Sequence, residues 1–330
     1  MRSLLILLIS MTTVPLLSAQ LPDFYRKVDR VTWVVDDVEK VVRGWRQLGF
    51  DQIHDATLVT LDHTLVRGKP ARSTVKVAAG RLGAARVRWI QPVSGSNAYS
   101  EFLAAHGSGI FSLVHRVPTR EALTAETQRL AALGVEILEQ GEVNSALGSV
   151  SYAYFDTLRE GKYSLGLIYV GDPQTADMPS QAPMDLRLSQ YAFVARDPRQ
   201  VSAYWTKLGF PEISFTHDGL RNLVYRGKPG QFDQELGWQR HGDIVYEWIL
   251  PLKGPTVYEE FLKSHGEGLH HLAFNTEDID RVTARWAELG YAPVQSGAWG
   301  EAGKSGSGRF SYSDTTAIGG VTIEFLWNYK

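Results

Sequence analysis

"QYAFVARDPRQVSAYWTKLGF" (Gln190–Phe210) returns 81 residues later as "HLAFNTEDIDRVTARWAELGY" (His271–Tyr291). Each copy opens on a short apolar alternation, the period-two signature of a strand with one face buried. Each then passes an Asp into a helical pattern that stops at Leu-Gly, where the glycine suits a left-handed helix C-cap. In the first copy three strand-like runs follow, near Glu212–Thr216, Leu223–Arg226 and Asp243–Leu250. The unit is therefore β-α-β-β-β. One unit leaves half a sheet uncovered, so two must pair to bury a common core.

A longer period contains this one. "WRQLGF" (Trp45–Phe50) matches "WTKLGF" (Trp205–Phe210), "RGKP" at Arg67 recurs at Arg226, and "EFLAAHGSG" (Glu101–Gly109) matches "EFLKSHGEG" (Glu260–Gly268). "YFDT" at Tyr154 matches "YSDT" at Tyr312. The near-constant offset predicts two homologous domains, about 25–172 and 186–330, each a pair of units, in an α+β fold. The Pro-, Asp- and Gln-rich stretch between them (173–185) reads as a linker.

A net charge of −2 over 330 residues, with no block of like charge, offers no footprint for nucleic acid. The first residues, "MRSLLILLISMTTVPLLSAQ", combine a basic start, an apolar stretch and small residues before a cleavage point after Ala19. They read as a signal peptide (1–19), so the mature chain is expected in the periplasm or outside the cell, free of the membrane. Cysteine is absent, and a chain of this length can be held by its core alone.

Strand parity then singles out four polar residues. In "GVTIEFLW", Glu324 shares a face with Thr322 and Leu326, and in "DIVYEWIL" Glu247 occupies the matching place. In "LHHLAF", His271 shares a face with the small Ala273, whereas His270 lies with Leu272 and Phe274 on the side expected under the helix. Gln190 and Ala192 repeat the His271–Ala273 pattern. Pairing the units about a two-fold axis would gather Gln190, Glu247, His271 and Glu324 inside one concave sheet. One imidazole, two carboxylates and an amide oxygen suit a borderline or hard divalent ion with positions left open. Trp248 and Phe325 alternate to the opposite face and read as core.

The stretches "EEFLKSHGEGLHHLAFNTEDID" and "YSDTTAIGGVTIEFL" resemble the vicinal oxygen chelate superfamily, which includes glyoxalase I, methylmalonyl-CoA epimerase, bleomycin-resistance proteins and extradiol dioxygenases. The resemblance implies tandem domains of paired βαβββ units, each an open cupped barrel. It implies metal ligands at Gln190, Glu247, His271 and Glu324, a set similar to zinc-using glyoxalase I. Zinc is the first expectation for the ion, with nickel, cobalt, manganese or iron also compatible. Carried onto the first domain, the four positions fall on Arg30, Arg88, Ser112 and Gly166, which make no ligand set, so that domain is expected to lack the metal. Arg30 and Arg88 are there as an anion grip or as paired or rim arginines.

The resemblance implies an isomerase or lyase moving an α-proton through a metal-bound enediolate, with Glu324 as base and Glu247 as ligand and second proton carrier. A small hydroxycarbonyl or sugar-derived compound is the expected substrate, and monomer or homodimer the expected state. An Fe(II) dioxygenase of extradiol type and a non-catalytic binding protein of the bleomycin-resistance kind are the alternatives.

Overall fold

A computed structural model describes residues 21–145, 148–171, 183–217 and 219–329. The expected signal peptide and all but the last residues of the expected linker lie outside the described residues.

Each Leu-Gly stop ends a helix as expected. Gly49, Gly209 and Gly290 follow their helices with φ of 96°, 98° and 94°, a region that costs a side chain with a Cβ but not glycine. The repeated RGKP is a hairpin turn. Arg67 and Gly68 have φ of 47° and 76°, and Arg226 and Gly227 have 46° and 76°. Two successive left-handed residues match the twist of the strands they join.

The first domain runs β1 (Arg30–Val34), α1 (Val38–Gln47), β2 (Thr57–Val66), β3 (Lys69–Leu82), β4 (Ala85–Ser94), α2 (Ala98–His106) and β5 (Gly109–Arg116). It continues with α3 (Arg120–Ala132), β6 (Ile137–Ser145), β7 (Gly148–Phe155), α4 (Leu158–Gly161) and β8 (Ser164–Val170). The second runs β9 (Arg187–Val194), α5 (Pro198–Lys207), β10 (Ser214–Thr216), β11 (Leu220–Tyr225), β12 (Lys228–Pro229), β13 (Asp233–His241) and β14 (Ile244–Lys253). After α6 (Val257–Ser264) come β15 (Gly268–Asn275), α7 (Ile279–Glu288), β16 (Pro293–Trp299), β17 (Gly308–Ser313) and β18 (Thr322–Asn328).

The two domains use one plan with different closure. The first is a closed barrel ordered β1-β4-β3-β2-β6-β7-β8-β5. Its long β2 pairs with β3 along one edge and with β6 along the other, through Thr64↔Gly141 and Val66↔Glu139. In the second domain the matching chain is divided. β10 stays on β13 (Ser214↔Trp238), while β11 departs to β16 (Tyr225↔Gln295). The sheet is therefore an open cup, ordered β10-β13-β14-β9-β15-β18-β17-β16-β11-β12.

That break explains where strand reading fell short. The run Leu223–Arg226, expected in the first unit, belongs to β11, which pairs with β16 of the other. β13, "DQELGWQRH", went unread because Asp, Gln, Glu and Arg dilute its apolar alternation. Its Gln234, Leu236, Trp238 and Arg240 line the cup.

The convex faces of the two sheets, covered by helices, form one continuous core across the domain boundary. Trp45 on α1 meets Trp286 on α7 with ring centroids 6.4 Å apart, and Tyr163 stacks on Trp205 of α5 at 4.7 Å. Indole N–H groups are satisfied across the same boundary, Trp33 donating to the Gly319 carbonyl at 2.6 Å and Trp205 to that of Gly161 at 3.2 Å. Trp248 and Phe325 lie in this core, away from the cup.

Candidate metal centre

Strands β9 and β15 run antiparallel at the middle of the second sheet, each flanked by a parallel neighbour, β14 and β18. Ala192 lies beside both Glu247 and His271, and Ala273 beside both Gln190 and Glu324. The two alanines leave room above the sheet that the four polar side chains fill. All four are buried.

Ligand atoms of Glu247, His271 and Glu324 lie within 4.8 Å of one another. His271 Nε2 is 3.2 Å from Glu324 Oε2 and 3.4 Å from Glu247 Oε2, and Gln190 Nε2 donates to Glu247 Oε2 at 2.9 Å. Two carboxylates this close and this buried are unfavourable without a cation between them. One imidazole nitrogen, two carboxylates and an adjacent amide oxygen fit a divalent ion and leave coordination positions free.

The electrostatics agree with a site that takes up positive charge. Burial pushes the Glu247 carboxyl up, and His271 opposes this only in part. Burial pulls the His271 imidazole down, but Glu324 and Glu247 outweigh it and hold it up at about 9. A proton and a metal ion thus compete for the same Nε2. Metal affinity is expected to rise with pH up to about 9, by roughly tenfold per pH unit, because His271 must release its proton on binding. Chelator-competition titrations between pH 6 and 9 measure that slope, and a flat profile would contradict it.

His270 is not where strand parity put it. β15 carries a bulge, with Leu269 opposite Phe193 and His271 opposite Ala192, so His270 is the extra residue. A bulge re-aims side chains, and here it turns His270 to the rings of Tyr258 and Phe261 on α6. Its Nδ1 lies 2.9 Å from His271 Nδ1. Of these two facing nitrogens one donates and the other accepts. With Nδ1 held by His270, His271 Nε2 faces the carboxylates. His270 therefore orients the ligand ring, a contact that strict alternation could not reveal. His270→Phe is expected to weaken metal binding about 10–100-fold with the fold retained, measured by chelator competition beside circular dichroism.

The cup above the centre encloses about 360 Å³. Trp238, Trp299, Leu236 and Phe310 wall it, and Arg240, Asn275 and Asn328 stand among its polar residues. Tyr312, whose hydroxyl is 2.8 Å from that of Tyr258, packs edge-on against the His271 ring at 4.9 Å. Tyr312 was visible in the "YSDT" repeat, but only as a marker of period.

Registers in the first domain place the counterparts where the repeat put them: Thr32 beside Arg88 and Ser112, and Val114 beside Arg30 and Gly166. Here the site is filled. A Cβ on Gly166 would meet Ser112 Oγ at 2.7 Å and Val114 Cγ2 at 2.8 Å, so no longer side chain fits at the counterpart of Glu324. His115, beyond Ser112, is buried against Tyr25 and bonded to the Lys27 carbonyl at 2.9 Å.

The fold and site together define a tandem α+β protein with one filled barrel and one open cup holding a His and two carboxylates. Profiles of the Glyoxalase/Bleomycin resistance protein/Dioxygenase superfamily match residues 189–312 and 27–145. The chain belongs to that superfamily, as two of its domains in series. Comparison with curated proteins finds no match. Among solved structures, it is similar to a triple mutant of 4-hydroxymandelate synthase from Streptomyces coelicolor, at 15% identity and a TM-score of 0.62 over 92% of both chains. It is also similar to a xylose isomerase-like TIM barrel/4-hydroxyphenylpyruvate dioxygenase fusion protein, at 14% identity and a TM-score of 0.51, over 92% of this chain and 49% of that one. These likenesses concern the fold.

Proposed function

We propose that the second domain is a metal-dependent isomerase or lyase that moves the α-proton of a small hydroxycarbonyl or sugar-derived compound. The observation that carries this reading is the buried Glu247/His271/Glu324 set at the floor of a walled cup. Gln190, Glu247, His271 and Glu324 would hold a divalent ion, zinc first among the candidates. When bound, such an ion supplies charge that polarises neighbouring substrate oxygens.

The chain's own residues do the rest. Glu324 accepts the α-proton and Glu247 serves as ligand and second proton carrier. Glu247 is tied to Gln190 and His271, whereas among the described residues Glu324 bonds only His271, which leaves Glu324 the freer oxygen. Trp238, Trp299 and Phe310 exclude water from the reacting atoms.

The test is solvent-deuterium exchange, followed by NMR, into a panel of α-hydroxy aldehydes and ketones with zinc-, nickel- or manganese-loaded protein. Exchange at the α-carbon is the expected result. Its absence across the panel, with oxygen uptake by the iron-loaded protein instead, moves the reading to an Fe(II) dioxygenase. The solved structures that match both domains in series favour that second reading, since their names include a dioxygenase. Export of the mature chain is part of the proposal, and mass spectrometry of the processed N-terminus tests it.

A further inference from the structure

The first domain carries cations where the second carries ligands. By strand register Arg30 stands in the place of Gln190 and Arg88 in the place of Glu247, on the inward face of a closed barrel. Arg30 keeps only 12% of its side-chain exposure, and Arg88 is partly buried.

Their partners are unequal. Asp29 accepts from Arg30 Nε at 2.8 Å and from Arg86 Nη1 at 3.2 Å. Burial pushes the Asp29 carboxyl up, but Arg30, Arg86 and Arg116 outweigh it and hold it below the usual carboxylate range. This one carboxylate is thus already shared. Arg88 makes no hydrogen bond or ion pair with a described residue. Its charged neighbours are Arg30 and, more weakly, Asp29; the Arg30 cation together with burial outweighs Asp29 and pulls Arg88 down to about 10.

A guanidinium drawn from water beside a second cation is unfavourable, and an apolar side chain of similar volume would be more stable there. Guanidinium forks, however, match oxyanions geometrically, and two of them on the inward face of one barrel make an anion receptor. The filled floor under Gly166 limits the guest to a small one. We propose that the first domain binds a small oxyanion, a carboxylate or phosphate, between the guanidiniums of Arg30 and Arg88. This site is separate from the metal centre and does not depend on the activity proposed for it.

Inorganic phosphate and acetate are the probes, used with the full chain against chloride at matched ionic strength. Calorimetric titration and thermal melting are the readouts. One or both probes should bind at one per chain and raise the melting temperature. Arg88→Met should weaken binding at least tenfold and, with the unpaired cation gone, melt higher than wild type in anion-free buffer. His271→Ala should keep the anion response, which separates it from any anion held at the metal centre. Arg30→Gln serves as the second variant and should also lose the response.

Response to neither probe in wild type at about 10 mM, a weak-binding limit, would overturn the proposal. So would a response that survives both arginine substitutions or disappears in His271→Ala. Failure of Arg88→Met to fold also contradicts it, because relief of an unpaired, partly buried cation should stabilise the chain.

Discussion

Glu324→Gln is expected to lower α-proton exchange on the order of 10²- to 10⁴-fold, the range set by removal of a positioned general base. The loss should fall on kcat rather than KM, because the amide keeps the shape of the carboxylate and changes only its capacity to take a proton. Glu324 is buried on the cup face beside His271, and among the described residues that imidazole is its one cationic partner. A glutamine there still offers an oxygen to an ion, so metal content should fall far less than rate. Glu247→Gln is the comparison. Its carboxylate is already engaged by Gln190 and His271, so its loss should show more in metal affinity and less in rate. Equal effects of the two substitutions on both readouts would remove the assigned division of labour.

Trp205→Ala is expected to cost about 3–5 kcal/mol of stability, the range for deleting a buried tryptophan. Its indole is 1% exposed and lies at the boundary between the domains. It stacks on Tyr163 from the first domain, meets Phe210 at 5.0 Å, and bonds the Gly161 carbonyl. Gly161 packs directly on the indole, which lies 2.5 Å from where a Cβ would stand, and has no side chain with which to fill the cavity left behind. For domains of this size the melting temperature should fall on the order of 10 °C. The core is continuous across the boundary, so both domains should loosen in one transition. Two separated transitions in a melting curve would show that the domains are energetically independent.

Much of this was legible in the chain because the fold is built by repetition. Four copies of one unit fixed the strand–helix–strand order, and the Leu-Gly stops fixed three helix ends. Period-two alternation placed Glu247, His271, Glu324 and Gln190 on one face, where the structure holds them together. Alternation failed at residues where the backbone departs from it. The bulge at His270 hid its bond to His271. The polar composition of β13 hid a wall of the cup, and the division of the β2-like chain into β10 and β11 hid the difference between a closed barrel and an open one. The bulge and the division have no residue-level signature, since each depends on which neighbour a strand pairs with.

The central claim is that the second domain holds one divalent ion through His271 and its carboxylate partners. Elemental analysis of the protein, purified without added metal or chelator and compared with His271→Ala, tests it most directly. About one divalent ion per chain in wild type, lost in the variant, is the expected result. No ion in wild type, even after reconstitution with zinc, nickel, manganese and iron in turn, would contradict the account and leave a binding protein in its place.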